Sequence, residues 1–239
     1  MKQVHAILRM SEQGISHPFL CQEEGGTSWW CKGQLSGTET QRHEWICARL
    51  AKRLSLPIPD FEIMEVPVAL SDLWRTGHPE CNEVFVTASN PYVFASKCVP
   101  NCRDLSRTAP FLSNGDRNLQ ARIFIFDLCI RNTDRTDGNS NVLIDAAGGA
   151  IHIIDHNSAF DPDFDEAKFR DSHVFREAFQ KLPAGERSKL AEEVFRVLDG
   201  FDLDSVWNEM PDAWTEEVTT GLTADGIRGI LSNRWSPQP

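Results

Sequence analysis

The stretch from Phe126 to Phe160 constrains this chain most, because a polar loop is followed there by a tight hairpin. Two short apolar runs, Val142–Ile144 and Ile151–Ile154, are joined by a turn of small residues that includes Gly149. The strands of a hairpin are antiparallel, so residues just before the first strand and just after the second lie at the same end. The sequence therefore predicts that the polar residues flanking this hairpin gather at one edge.

Four such polar residues are Asp134, Asn139, Asn141 and Asp155. Carboxylate and amide oxygens collected in this way suit a hard divalent cation such as Mg²⁺, especially one that also carries phosphates. Taken alone, an Asn-, Asp- and Gly-rich loop before a strand is often only a turn, and that alternative stays open at this point. We interpret Asn141 as a turn residue, together with Asp137.

Length and charge limit the classes of function. A chain of 239 residues can bury a substantial core, as one large domain or two small lobes. Its net charge of −11 is a poor match to nucleic acid, which rewards clustered Lys and Arg. The seven cysteines are odd in number and scattered, which favours reduced thiols over zinc ligands or disulfides. An anionic nucleotide, held by a few local donors and a metal, remains compatible with this composition.

Cellular location is predicted from hydropathy. No apolar run approaches the roughly 20 residues that a membrane-spanning helix needs. The opening residues MKQVHAILRM have only a brief apolar stretch with an Arg in it, unlike a secretory signal. We therefore expect a cytoplasmic protein without membrane contact.

The first strong helix, predicted over Thr38–Leu54, carries a carboxylate on its apolar stripe. Glu44 lies three residues before Cys47 and seven before Ala51, and a carboxylate facing inward is costly unless a cation meets it. Lys32, at the end of the predicted strand Ser28–Lys32, offers that cation. A strand Lys paired with a helix Glu fixes nucleotide phosphates in kinases. The alternatives are that Glu44 lies at the edge of the stripe and that Lys32 extends to solvent.

The remaining pattern predicts further elements around these two. The predicted strands are Gln3–Met10, Phe19–Gln22, Phe61–Val66 and Tyr92–Val99, with a loop over Pro100–Asn114. The predicted helices are Val68–Trp74, Asp116–Arg131, Ala167–Lys181, Ala184–Leu198, Leu203–Glu209, Ala213–Gly221 and Ala224–Trp235. Asp127 falls on the buried side of its helix, where we expect it to support the following loop through backbone donors.

Five residues fit one mechanism in chain order. Asp134 and Asn139 are five apart, as are the base Asp and the metal-ligand Asn of a kinase catalytic loop, and Asp155 follows the hairpin where a second metal ligand belongs. Lys32 and Glu44 precede them in strand-then-helix order. Such a set is more specific than any one of its members.

The segments NTDRTDGNSNVLI and IHIIDHNSAF resemble the HipA-like kinases, in particular their smaller single-domain branch. The resemblance extends to FLCQEEGGTSWWCKG, ARLAKRLSLPIPDFEIMEV and VFASKCV, and covers most of the chain through about Phe160. It implies an α+β, bilobal protein-kinase-like fold, with a small β-rich N-lobe containing one main helix and a larger, mostly helical C-lobe. The single kinase domain would span residues 1–239, divided into lobes at 1–95 and 96–239.

The resemblance also implies an ATP- and Mg²⁺-dependent phosphotransferase, by analogy a protein serine/threonine kinase. Lys32 would hold the nucleotide phosphates and Glu44 would orient it. Asp134 would accept the proton of the attacking hydroxyl, while Asn139 and Asp155 would bind magnesium.

Nucleotide contacts are implied by the same resemblance. The segment Tyr92–Val99 would supply backbone contacts to the adenine, through Phe94, Ser96 and Cys98. The loop Ser11–Pro18 would cover the phosphates, and Ser16 within it is a candidate for self-phosphorylation or, alternatively, a loop-capping residue. Asn-Thr-Asp replaces the His-Arg-Asp of common protein kinases, Asp-His-Asn replaces Asp-Phe-Gly, and the phosphate loop lacks GxGxxG.

Two other functions compete with catalysis of phosphoryl transfer. A pseudokinase would bind nucleotide as an interaction module without turnover, and a magnesium-dependent phosphohydrolase would use the same acidic cluster but leave Lys32 and Glu44 unexplained. The phosphoacceptor stays open between a protein, a small-molecule hydroxyl and the chain itself. An antitoxin-like protein partner is a further expectation, whereas direct binding of nucleic acid is not expected.

Overall fold

The computed structural model describes residues 1–11, 17–79, 85–105, 116–145, 149–216 and 222–235. The described residues form eight strands and nine helices, a mixed α+β structure as expected. None of the helices in these ranges combines the length and apolar character needed to cross a bilayer.

Five strands form a closed barrel. They are β1 (Lys2–Met10), β2 (Phe19–Glu23), β3 (Ser28–Lys32), β4 (Phe61–Glu65) and β5 (Tyr92–Lys97), in the order β1-β2-β3-β5-β4. The β1–β4 pair is parallel and the other pairs are antiparallel. Alternation buries Trp29 and Cys31 in the barrel core and turns Trp30 and Lys32 to the other face. Lys32 is nevertheless only 8% exposed, so it does not extend to solvent.

The long helix beside this barrel is α1 (Gly37–Arg53), preceded by a 3₁₀ turn over Gln34–Ser36. It begins one residue before the predicted helix and ends one residue before its predicted end. Glu44 is 2% exposed, so the inward carboxylate expected from the apolar stripe is confirmed. A second helix, α2 (Val68–Gly77), follows β4.

The predicted hairpin is present within a three-stranded antiparallel sheet. Its strands β7 (Val142–Asp145) and β8 (Ile151–Ile153) pair Val142 with Ile153. A short strand, β6 (Cys102–Asp104), pairs with β7 on the other side. The loop predicted over Pro100–Asn114 was therefore wrong at Cys102–Asp104, because a three-residue strand is too short to show alternation. Residues 106–114 of that prediction lie outside the described residues.

The helices that follow are α3 (Arg117–Cys129), α4 (Glu166–Ser172), α5 (Arg176–Gln180), α6 (Ala184–Asp199), α7 (Leu203–Asn208), α8 (Asp212–Thr215) and α9 (Ala224–Ser232). The prediction of one continuous helix over Ala167–Lys181 was wrong, because the helix is interrupted between α4 and α5. At the break His173 forms an isolated bridge with Thr136, and its side chain turns towards Asp127. The interruption of the helix thus brings His173 into contact with the loop that contains Thr136.

By compactness the chain falls into two units, each made of three segments. The first unit comprises Met1–Trp45, Pro59–Val99 and Trp207–Gly221, and the second comprises Ile46–Ile58, Pro100–Val206 and Leu222–Pro239. The return of a late segment to the first unit was not predicted from the sequence. The lobes expected at 1–95 and 96–239 stay a prediction.

Candidate active site

Lys32 and Glu44 form a buried ion pair in the first unit. The Lys32 Nζ lies 2.5 Å from Glu44 Oε1, and the two side chains are 10% and 2% exposed. The pairing expected from strand and helix order is therefore confirmed. With little water around it, the ammonium group is held in one place by a charge-assisted hydrogen bond.

The backbone around Lys32 is fixed from two directions. Gln41 of α1 donates from its Nε2 to the Lys32 carbonyl at 2.8 Å. On the other side, the Gln34 N–H donates to the Phe85 carbonyl at 2.8 Å, and a Cβ added to Gly33 would lie 2.3 Å from that same oxygen. Glycine at position 33 thus permits a backbone approach that any side chain would block.

The three residues expected to contact adenine lie in or just after β5. Phe94 pairs with Lys32 of β3 and with Ile63 of β4, and Ser96 is likewise paired on both sides, so their backbone groups belong to the sheet. Cys98 follows the strand, and its N–H donates to the Ser28 carbonyl at 2.9 Å. Ser16 lies outside the described residues.

In the second unit, the loop after α3 gathers polar groups around Asp134. The Asp134 Oδ2 accepts from Asn139 Nδ2 at 2.8 Å and from Asn141 Nδ2 at 3.1 Å. The turn is closed by the Thr136 N–H, which donates to the Asn139 carbonyl at 2.9 Å. Asn141 therefore does more than shape a turn, which corrects the interpretation of that residue. Both amides hold the orientation of the Asp134 carboxylate.

Asp155 lies at the hairpin end that also carries Asn141. The neighbouring Ile154 donates its N–H to the Asn141 carbonyl at 3.0 Å, so the gathering of flanking residues at one edge is confirmed. Asp155 and Asn141 have φ angles of 56° and 46°, in the left-handed region that Asp and Asn tolerate better than most residues. Such backbone strain tends to concentrate at functional sites.

Behind this loop lies a buried charged network centred on Asp127. Its Oδ2 accepts from Arg135 Nε at 2.7 Å and lies 3.0 Å from His173 Nε2, while its Oδ1 accepts from Asn132 Nδ2 at 2.9 Å. Asp127 and Arg135 have fully buried side chains. The expectation that Asp127 supports the loop is confirmed, although the donors are side chains rather than backbone groups.

Arg135 also ties the hairpin to the loop. Its Nη1 donates to the Asn141 carbonyl at 2.5 Å and to the Ile154 carbonyl at 3.2 Å. One buried guanidinium thus connects Asp127 with both strands of the hairpin at their shared open end. A planar group with several fixed donors suits such a position better than a Lys would.

Burial and charge act in opposite directions on this network. Burial alone would raise the pKa of Asp127, but Arg135 and the hydrogen bond to His173 hold that pKa well below its ordinary range. Burial lowers the pKa of His173, although its hydrogen bond to Asp127 acts in the opposite direction. The Phe175 N–H donates to His173 Nδ1 at 3.0 Å, so Nε2 carries the proton and donates to Asp127.

Arg135 and His173 were missed by sequence reasoning. Arg135 stands in a polar loop, where an Arg is ordinarily exposed, and His173 lies inside what looked like a continuous helix. The one available signal was the inward Asp127, which required a partner that the sequence alone did not identify.

The oxygen atoms at the hairpin end suit a magnesium ion that also binds phosphates, rather than a metal whose ligands all come from the protein. Among the described residues there is no group of three His, Cys, Asp or Glu that could hold a metal ion. Because Asn139 uses its Nδ2 on Asp134, its Oδ1 remains the atom suited to a cation. One carboxylate and one amide oxygen suit Mg²⁺ when phosphates complete its coordination.

Comparisons with known proteins bear on the family and the fold of this chain. Among solved structures, the chain is similar to the crystal structure of the Helicobacter pylori proinflammatory kinase CtkA. The two are 10% identical over 97% of this chain and 93% of that chain, with a TM-score of 0.50, which shows a kinase-like fold. No curated protein matches the sequence at a significant level. A family model described as HipA-like kinase matches residues 4–233, and the chain therefore belongs to the HipA-like kinase family.

Proposed function

We propose that this protein transfers the γ-phosphate of ATP to a hydroxyl group, and that the acceptor is a serine or threonine of a protein. The observation that carries the proposal is the arrangement around Asp134. Its carboxylate is held by the amides of Asn139 and Asn141, at the hairpin end that also bears Asp155. Family membership supports phosphoryl transfer, and the choice of a protein acceptor rests on analogy.

Asp134 is proposed as the base that accepts the hydroxyl proton. It is half-buried and keeps access to an incoming group, while the two amides fix its orientation. Phosphoryl transfer through a loose transition state requires positioning and charge neutralisation more than strong basicity. A cavity of about 500 Å³, lined in part by Thr133 and Thr136, leaves room for an acceptor beside this loop.

Lys32 is proposed to hold the nucleotide phosphates, with Glu44 fixing the direction of its ammonium group. The pair is buried and short, so the positive charge needs no reorganisation when phosphate arrives. Asn139 and Asp155 would hold Mg²⁺, which neutralises phosphate charge when bound. For the adenine, we propose backbone contacts from the residues that follow β5, starting at the Cys98 carbonyl, because the strand itself is paired on both sides and the Cys98 N–H donates to Ser28.

ATP turnover by the purified protein tests this function. We expect Asp155→Ala to lower turnover by at least ~10²-fold, the lower range for losing a group that stabilises transition-state charge. Asp171→Ala is the matched control, since Asp171 is an exposed carboxylate on α4 and should leave turnover unchanged. Unchanged turnover in Asp155→Ala would overturn the assignment. Magnesium-dependent ATP binding by the wild type without product on any acceptor would instead indicate a nucleotide-binding module.

A further inference from the structure

The segment that returns to the first unit late in the chain contacts α1 through one buried arginine. Arg42 Nη1 donates to the carbonyl of Trp214 at 2.6 Å, although the two residues are 172 positions apart. Each residue is 1% exposed, and Trp214 is among the largest fully buried side chains of the described residues. This contact is therefore part of the interior of the first unit.

Three side chains within one turn of α1 reach in two directions. Gln41 donates to the Lys32 carbonyl and Glu44 pairs with the Lys32 ammonium group, and residues three apart share a helix face. Arg42 follows Gln41 in the chain, so its side chain points about 100° away from that of Gln41 around the helix axis. It reaches Trp214 instead of Lys32. The turn that carries Glu44 is thus held between β3 and the late segment.

The Arg42–Trp214 contact gives Arg42 Nη1 an acceptor and the Trp214 carbonyl a donor, and each would be costly to bury without a partner. Burial lowers the pKa of Arg42, while the nearby Glu39 raises it, and a guanidinium remains charged in either case. The Trp214 carbonyl belongs to the last turn of α8, where carbonyls lack partners within the helix and carry partial negative charge. Losing either partner would leave a buried polar group unsatisfied.

We propose that Arg42 is a positioning residue. By binding the Trp214 carbonyl, it fixes the rotation of α1 so that the Glu44 carboxylate meets Lys32. Residues 207–216 then hold in place the Lys32–Glu44 pair that we assign to phosphate binding. The catalytic consequence rests on the proposed function, whereas the effect on the pair itself does not.

The rate at which a pulse of acetic anhydride modifies the Lys32 amine measures how often the pair opens. We expect Arg42→Met to raise this rate at least ~10-fold, because hydrogen bonds to charged groups are among the stronger ones that a folded protein makes. Mass spectrometry of the peptide containing Lys32 gives the rate. Arg42→Lys, which keeps a buried cation for the Trp214 carbonyl, should restore most of the protection. Arg53→Met, the same substitution at an exposed position of α1, should leave the rate unchanged.

Two further measurements separate positioning from general stability and from the proposed function. Leu231→Ala in α9 removes a buried side chain of the second unit and provides a variant with lowered Tm. If it speeds Lys32 modification as much as Arg42→Met at an equal loss of Tm, or if Arg42→Met leaves the rate unchanged, the proposal is overturned. In steady-state kinetics we expect Arg42→Met to raise KM for ATP more than it lowers kcat. Absence of ATP turnover in the wild type would contradict the proposed function, while the modification rate would still decide the role of Arg42.

Discussion

Lys32 and Asp134, two charged groups that we assign to catalysis, are held in opposite ways. Lys32 and Glu44 are themselves buried, and each is the partner of the other. Asp134 is half-buried and held by neutral amides, while the buried charges of its region lie behind it in the Asp127–Arg135 pair.

The difference follows from what each group has to meet. A cation that binds the same phosphates in every cycle gains from a dry, fixed position, because charge interactions strengthen away from water. A base has to reach an acceptor that arrives and leaves, so it stays accessible and takes its rigidity from elsewhere. We infer that the Asp127 network supplies that rigidity to the loop.

Breaking the network behind the loop should have the largest effect on stability. Asp127→Leu leaves the Arg135 guanidinium buried without a carboxylate, so we expect the free energy of unfolding to fall by about 3–5 kcal/mol. Denaturant unfolding measures this loss. Adding Arg135→Met should recover only part of it, because it removes the unpaired guanidinium but also takes the Arg135 donor from the Asn141 and Ile154 carbonyls.

Asp137→Ala is the control for this prediction. Asp137 stands in the same loop, is 60% exposed and pairs with Arg176 at 2.6 Å. Exposed pairs contribute about 0–1 kcal/mol, so this variant should lose much less stability than Asp127→Leu. Equal losses in the two variants would show that the buried network does not support the loop as described.

A pair of glycine substitutions compares the packing of the two regions. Gly33→Ala places a Cβ 2.3 Å from the Phe85 carbonyl oxygen, and overpacking of this kind costs about 1–3 kcal/mol. A Cβ at Gly138, in the loop of Asp134, meets nothing within 4 Å, so Gly138→Ala should stay within about 0.5 kcal/mol of the wild type. Thermal unfolding followed by circular dichroism compares them. A larger loss for Gly138→Ala would reverse the contrast between a tightly packed strand end and an open loop.

The smallest effect concerns the pH dependence of stability. Because burial lowers the pKa of His173, the unfolded chain binds more protons than the folded one once the pH falls below about 6.5. Stability should therefore fall on acidification, by up to about 1.4 kcal/mol per pH unit from this residue. His173→Gln keeps a donor for Asp127 but does not titrate, so its stability should change less between pH 7 and 5. The depressed pKa of Asp127 acts only in more acidic solution, since its contribution is lost below about pH 4. If the stability of the wild type and of His173→Gln changed equally with pH between 7 and 5, this role of His173 would be contradicted.

Much of the first unit could be predicted because local patterns and burial agree there. Alternation in Ser28–Lys32 and the stripe of α1 placed Lys32 and Glu44 correctly, since a carboxylate on an apolar face requires a cation. The hairpin could be predicted for the same reason, as its two apolar runs and small turn fix the antiparallel pairing.

Contacts between distant residues could not be predicted in this way. Arg42 donates to a backbone carbonyl, and every residue type has one. The residue types near position 214 therefore do not identify the partner of Arg42. His173 interrupts a helical pattern because of Asp127, which lies 46 residues earlier in the chain. A helical period describes one segment at a time and carries no information about such a partner.

Phosphate transfer from labelled ATP tests the central assignment most directly. Wild-type protein and Asp134→Ala are each incubated with a cell lysate, labelled ATP and Mg²⁺, and the label transferred to protein is compared. We predict labelled protein with the wild type and a loss of at least ~10²-fold with Asp134→Ala, the lower range for removing a positioned base. Equal labelling by the two proteins would contradict the role of Asp134, and with it the account of this loop as the catalytic centre.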